Sequence, residues 1–118
     1  MMQEKLNVLL ENGIIDEAIF NRMNEVIDYL LEQNVIDDED EADTFITHLA
    51  MATAREKNDE EQLDFVDESI KKEIEAAKEY DEAVQLWGEL SKMVGVDFPE
   101  AENDYFYLHL VTLLQAED

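Results

Sequence analysis

The sequence predicts an all-α fold, an antiparallel helical bundle, and three observations lead to this prediction. Apolar residues make up 46% of the 118 residues, which is enough to build a globular core. Three glycines and one proline are too few for the many turns of a β-sandwich or barrel. Apolar side chains also recur at i, i+3 and i+4 spacing, the pattern of amphipathic helices. The length suits one domain, 1–118.

The N-terminal half is predicted to hold a short lead-in and two helices. Residues 6–10 form a short helical or extended segment that Asn12-Gly13 closes. An apolar stripe follows Asp16, which is a suitable N-cap, and ends near Asn34. The stripe comprises Ile19, Met23, Val26, Ile27, Leu30 and Leu31. The second helix is predicted over about 41–57. Its apolar face comprises Ala42, Phe45, Ile46, Leu49 and Ala50.

The C-terminal half is predicted to end in a strongly apolar helix. A third helical segment begins near Asp59, and we expect a break near 79–81 because one helix through this stretch would be long for a compact domain. Gly95 suits the position just past a helix end, and Pro99 suits the first turn of a last helix over 99–116. That helix is apolar over more than half of its circumference. We therefore expect it at the centre of the bundle or shared with a partner chain.

The composition excludes several classes of function. Aspartate and glutamate number 32 against 8 lysines and arginines, a net charge of −24. This charge disfavours binding to phosphate backbones and anionic lipids, so we expect no direct nucleic acid binding and no membrane binding, while a basic partner protein is permitted. The chain has no cysteine, which excludes disulfides and thiolate catalysis. No apolar run approaches the roughly 20 residues of a membrane span. A cytoplasmic protein fits these features.

No motif indicates an enzyme, a metal or a cofactor. The acidic run DDEDEAD, residues 37–43, invites a calcium-loop interpretation, which requires glycine at the sixth position and glutamate at the twelfth. Ala42 and His48 stand there instead. The sequence has no HExxH, no glycine-rich phosphate loop and no GxSxG. We therefore predict that the protein is not an enzyme, and the acidic run is best explained as a solvated helix lead-in.

The two histidines of the chain both lie in apolar helical stretches, FITHLAMATAR (45–55) and NDYFYLHLVTLL (103–114). A lone histidine on an apolar helix is most often a core or interface residue, but the like surroundings of His48 and His109 favour a shared use. A neutral imidazole nitrogen is a nucleophile near neutral pH and can accept a phosphoryl group.

The sequence around each histidine suggests a different supporting residue. Arg55 follows His48 by seven residues, so it lies on nearly the same helix face and can reach back to pair with a phosphate. Tyr105 precedes His109 by one turn and is its expected neighbour. Glu102 leans away from His109, so we expect it to serve the helix N-terminus or another helix.

These two stretches resemble the histidine motifs of the PTS regulation domain, the PRD. The first motif is matched by His48, Leu49 and Arg55. The second motif is matched by Pro99, Glu100, Glu102, Tyr105, Leu108 and His109. The resemblance extends over nearly the whole chain, so the core of a PRD-like domain is expected at about residues 10–116. Either motif alone would be weak, whereas the pair is specific.

The resemblance implies a bundle of about five helices that commonly forms a homodimer. It implies that His48 and His109 are candidate phosphoacceptors, with Arg55, Glu102 and Tyr105 as candidates for pairing with the phosphate or supporting the histidines. The phosphate would come from the phosphocarrier protein or a sugar-permease component of the sugar phosphotransferase system. In the family, phosphorylation switches an attached RNA- or DNA-binding domain. This sequence has no basic nucleic-acid-binding segment, so we expect a stand-alone module that controls transcription or antitermination through a partner protein.

Two alternatives remain open at the level of sequence. The chain could be a non-phosphorylated interaction or dimerisation module that retains only the fold, with its histidines in the core or an interface. A weaker alternative is an acidic mimic that competes for a nucleic-acid-binding partner, an idea motivated by the net charge of −24.

Overall fold

The structure, a computed structural model, describes residues 2–58 and 66–116, and most of these residues are helical. Its six α-helices are α1 (Met2–Glu11), α2 (Glu17–Glu32), α3 (Asp43–Lys57), α4 (Glu68–Ala76), α5 (Tyr80–Val94) and α6 (Glu100–Ala116). A 3₁₀ turn, Glu39–Ala42, precedes α3, and the described ranges contain no strand. The all-α prediction is confirmed. The additional helix relative to the expected five is α1, where the sequence left helical and extended conformations open.

The helix ends follow local signals that the sequence carries. Asp16 is the N-cap of α2, and its Oδ1 accepts a hydrogen bond from the Ile19 N–H at 2.8 Å. Gly95 ends α5 in the left-handed conformation, with φ of 74°, and donates its N–H to the Ser91 carbonyl at 2.9 Å. The Pro99 carbonyl accepts the first backbone hydrogen bonds of α6. Proline and glycine therefore bound the last two helices as predicted.

The predicted third segment is broken between α4 and α5. Ala77 has extended backbone, with ψ of 142°, and α5 begins at Tyr80, next to the predicted break at 79–81. The predicted start near Asp59 lies outside the described residues. The helix expected from residue 41 begins two residues later, at Asp43, because the preceding residues form the 3₁₀ turn capped by Asp38.

The core is continuous across the described helices, and α6 packs against α3, α4 and α5. The central position of α6 accounts for much of its apolar surface. Met2 and Leu6 of α1 are fully buried, so the core extends to residues before residue 10. The centre of the core is aromatic and comprises Phe45, Trp87, Phe98 and Phe106. None of the described helices is both long enough and apolar enough to cross a membrane.

Candidate functional site

Helices α3 and α6 pack so that the two histidines meet. The ring centroids of His48 on α3 and His109 on α6 are 5.5 Å apart, with the ring planes inclined at 45°. The His48 side chain is 14% exposed, and His109 is half-buried. The pair thus lies at the edge of the core, with Nε2 of His109 buried.

Tyr105 contacts both histidines. Its ring stacks on His48 with centroids 4.3 Å apart and planes 9° from parallel. The same ring lies 4.8 Å from His109, its neighbour one turn along α6. The sequence predicted the contact with His109 but not the stacking on the other histidine. Tyr105 therefore limits the positions that both imidazole rings can adopt.

Glu102 holds His48 from the buried side. The Glu102 side chain is 0% exposed, and its Oε1 forms a short hydrogen bond with Nε2 of His48. Of the two roles that the sequence allowed for Glu102, this is the one toward another helix. No group in residues 2–58 or 66–116 forms a hydrogen bond with its other oxygen, Oε2. An ionised Glu102 can only accept this hydrogen bond, which would place the proton on Nε2 of His48 and, in the neutral ring, leave the lone pair on Nδ1.

Core aromatic rings fix the walls around the two histidines. Phe106 meets the His48 ring edge to face at 5.1 Å, and Phe45 lies 6.1 Å from His109. Trp87 of α5 stacks on Phe106 at 4.4 Å and donates its Nε1–H to Asn103 Oδ1 at 2.8 Å. These contacts tie the start of α6 to α5. The helical spacing of Phe45, Trp87 and Phe106 indicated only core positions, so the sequence did not mark them as part of a site.

Arg55 is the fifth candidate site residue that the sequence predicted. It lies on α3 about two turns beyond His48 and is partly buried. Its pairing with a phosphate remains a prediction. The structure brings His48, His109, Tyr105 and Glu102 together at the crossing of α3 and α6.

The charged groups on the neighbouring helices are engaged in pairs of their own. Lys5 of α1 binds Asp43, the first residue of α3, at 2.8 Å, and this hydrogen bond is the main cause that lowers the pKa of the Asp43 carboxyl. Lys71 of α4 lies 3.4 Å from Asp104 of α6, whose charge raises the pKa of the lysine. Across the described ranges, no three His, Asp or Glu side chains converge to hold a metal ion.

The fold and the site together define a class of protein: a small helical bundle with paired histidines at the crossing of two helices, beside a buried carboxylate. The PRD domain family matches residues 21–113, which is most of the chain, and the chain belongs to this family. It is also 28% identical over 116 residues to the uncharacterized protein YhfY of Escherichia coli strain K12, a match that covers 98% of this chain and 96% of that protein. No solved structure gives a significant match.

Proposed function

We propose that the chain is a regulatory module of the sugar phosphotransferase system. His48 and His109 accept phosphate from the phosphocarrier protein or a sugar-permease component. The phosphorylated state then alters the contacts of the module with a partner protein that controls transcription or antitermination. The observation that supports this most directly is the convergence of both motif histidines beside one buried carboxylate, Glu102.

The chemistry requires a neutral imidazole that a donor protein can approach. The ring nitrogen attacks the phosphorus of the donor phosphohistidine, and the bond between that phosphorus and the donor nitrogen breaks. Glu102 would fix the orientation and tautomer of His48 during this attack, as carboxylates do for other functional histidines. Both side chains are partly exposed, which supports access by the donor, but Nε2 of His109 is buried, so the donor would have to approach Nδ1 of that ring.

The interactions of a phosphate at this position would supply enough free energy to switch a packing equilibrium. Moving an equilibrium from about 1:99 to 99:1 requires roughly 5.5 kcal/mol. A phosphate adds about two negative charges and can form one to three charge-assisted hydrogen bonds, each worth roughly 1.5–3 kcal/mol. Arg55 is the residue we assign to meet it. The phosphate would act on the packing of α3 against α6 and, in the homodimer that we include in this proposal, on the contact between the two copies.

We further propose that the module works in the cytoplasm, beside the phosphocarrier proteins, and is not itself an enzyme. It binds no nucleic acid directly, since a net charge of −24 opposes contact with phosphate backbones. Its effect on gene expression therefore passes through the partner protein.

The experiment is a phosphotransfer assay with the general phosphotransferase proteins and phosphoenolpyruvate. We expect an acid-labile, base-stable phosphate on the wild-type chain. The chain has only two histidines, so the double variant His48→Gln/His109→Gln is free of histidine and serves as the matched control. An unlabelled wild-type chain, or equal labelling of the control, would remove support for the proposal.

A second candidate function is an interaction module that is not phosphorylated. The close packing of both histidine rings against Tyr105, Phe106 and Phe45 favours it, because such packing also suits structural core residues. In that case His48→Ala and His109→Ala would alter stability or self-association, while the phosphotransfer assay would give no label on any chain.

A further inference from the structure

We propose that His48 and His109 form a single phosphoacceptor site, which holds one phosphate per chain because occupation of either histidine prevents occupation of the other. This inference deepens the proposed function and rests on it for the natural donor. The geometry that carries it is independent of which donor supplies the phosphate.

Two phosphates bound to these rings would lie close together. The ring centroids are 5.5 Å apart, and Tyr105 contacts both rings at 4.3 and 4.8 Å. Phe106 and Phe45 close the inner side of the pair. Nε2 of His48 is bound to Glu102 and Nε2 of His109 is buried, so Nδ1 is the nitrogen of each ring that remains for a phosphoryl group. Two phosphoryl groups would then lie on rings whose centroids are only 5.5 Å apart.

Charge opposes double occupation more strongly than space does. Each phosphate carries about −1.5 to −2 charges at neutral pH, and the buried Glu102 adds a carboxylate beside His48. Like charges repel strongly over such a distance where rings and core exclude water. Lys5 of α1 and Lys71 of α4 are already paired with Asp43 and Asp104. One phosphate can be met by Arg55, whereas two would leave a large excess of negative charge.

The consequence is a module with two states, unphosphorylated and singly phosphorylated. Phosphorylation at either histidine would produce the same charge at the same helix crossing. Two donors that prefer different histidines would then compete for the site, and their signals would not add.

The inference is tested with phosphoramidate, a small donor that requires no partner protein. A histidine nitrogen attacks its phosphorus, the bond from phosphorus to the amine nitrogen breaks, and ammonia leaves. Phosphates per chain are counted by intact-mass spectrometry after the reaction reaches saturation. We expect one phosphate on the folded wild-type chain and two on the chain labelled in denaturant, where the histidines are independent.

The single variants His48→Gln and His109→Gln separate a shared site from an inaccessible histidine. We expect each folded variant to accept one phosphate, as the wild type does. A folded wild-type chain with two phosphates, or with none, would overturn the inference. A single variant that accepts none would overturn it as well, because the missing histidine would then be the only reactive one. If the phosphotransferase proteins fail to label the chain while phosphoramidate adds one phosphate to it, that result would count against the proposed function alone.

Discussion

At the scale of single residues, the site depends on a carboxylate that the fold buries completely. Glu102 is 0% exposed, and in the described part of the chain its hydrogen bond comes from Nε2 of His48. Burying an ionised group is costly unless a partner satisfies it. We therefore expect His48 to stabilise the folded chain through this contact, in addition to the phosphoacceptor role that we propose for it.

Replacing His48 by alanine should reveal this dependence. We expect His48→Ala to lower the free energy of unfolding by about 2–4 kcal/mol, since it leaves the carboxylate of Glu102 buried without its donor. Adding Glu102→Gln in that background should recover part of the loss, because a neutral amide is less costly to bury. Denaturant unfolding of the single and double variants measures both effects.

His109→Ala provides the matched background, because His109 is the other histidine and lies on the same helix as Glu102. There, Glu102→Gln should bring no recovery, since the bond to His48 is intact in that variant. Equal effects of Glu102→Gln in the two backgrounds would show that His48 does not support the carboxylate.

The sequence could predict which residues belong to the site, but not all of the contacts between them. His48 and His109 stood out because the chain has no other histidine, and Tyr105 was predictable as a neighbour one turn away. The choice between the two roles of Glu102 was not predictable. It depends on where α3 crosses α6, and that crossing is set by the packing of Phe45, Phe106 and the other core side chains.

At the scale of elements, the helices were largely predictable because their signals are local. Apolar spacing places α2, α3 and α6, and Asp16 and Pro99 mark where α2 and α6 begin. The apolar residues 6–10 of α1 suit either a helix or an extended segment, so their conformation had to come from tertiary contacts. The central position of α6 was only one of two explanations for its broad apolar surface.

The cap of α2 should make stability depend on acid pH. The backbone N–H of Ile19 is the main cause that holds the pKa of Asp16 below its ordinary value of 3.8. The stabilisation is therefore present above pH 3.8 and is lost as the pH falls through the lower pKa of the folded state. Asp16→Ala should cost about 1 kcal/mol at neutral pH.

Asparagine at this position caps the helix without titrating, so Asp16→Asn is the control. Unfolding measured across the acid range should show the wild type losing its cap while Asp16→Asn retains it. A parallel decline of both chains through the pKa of Asp16 would contradict this role for the carboxylate.

Two glycines of the same helix region should respond to alanine in opposite directions. Gly95 has φ of +74°, a conformation that a side chain disfavours, so Gly95→Ala should destabilise the fold by about 1 kcal/mol. Gly88 lies within α5, and a Cβ there would meet no atom within 4 Å. Gly88→Ala should therefore stabilise by about 0.5–1 kcal/mol through helix propensity. Thermal or denaturant unfolding gives the sign, and a shared sign would contradict the argument.

At the scale of the whole molecule, the dominant feature is a net charge of −24 on 118 residues. Mutual repulsion of so many carboxylates opposes the compact state, and salt screens it. We expect the melting temperature to rise as sodium chloride is added at neutral pH. The control is a variant in which exposed acidic residues are changed to lysine. Its melting temperature should rise less with salt than that of the wild type. An equal rise in both chains would exclude charge repulsion as the cause.

Under our proposal, a phosphate at the crossing of α3 and α6 adds negative charge to a chain that is already strongly negative. The two helices come from opposite halves of the sequence, so this added charge would affect the packing of both halves. The family match over residues 21–113 includes both helices. The histidine motifs are therefore best understood as one site that the fold assembles.

The most direct measurement of the central claim is phosphorus NMR of the chain after incubation with the general phosphotransferase proteins and phosphoenolpyruvate. Phosphorus bonded to an imidazole nitrogen has a resonance of its own, distinct from those of phosphate esters and free phosphate. We expect this resonance on the wild-type chain and its complete absence from His48→Gln/His109→Gln. A wild-type spectrum without it would contradict the claim that the paired histidines accept phosphate.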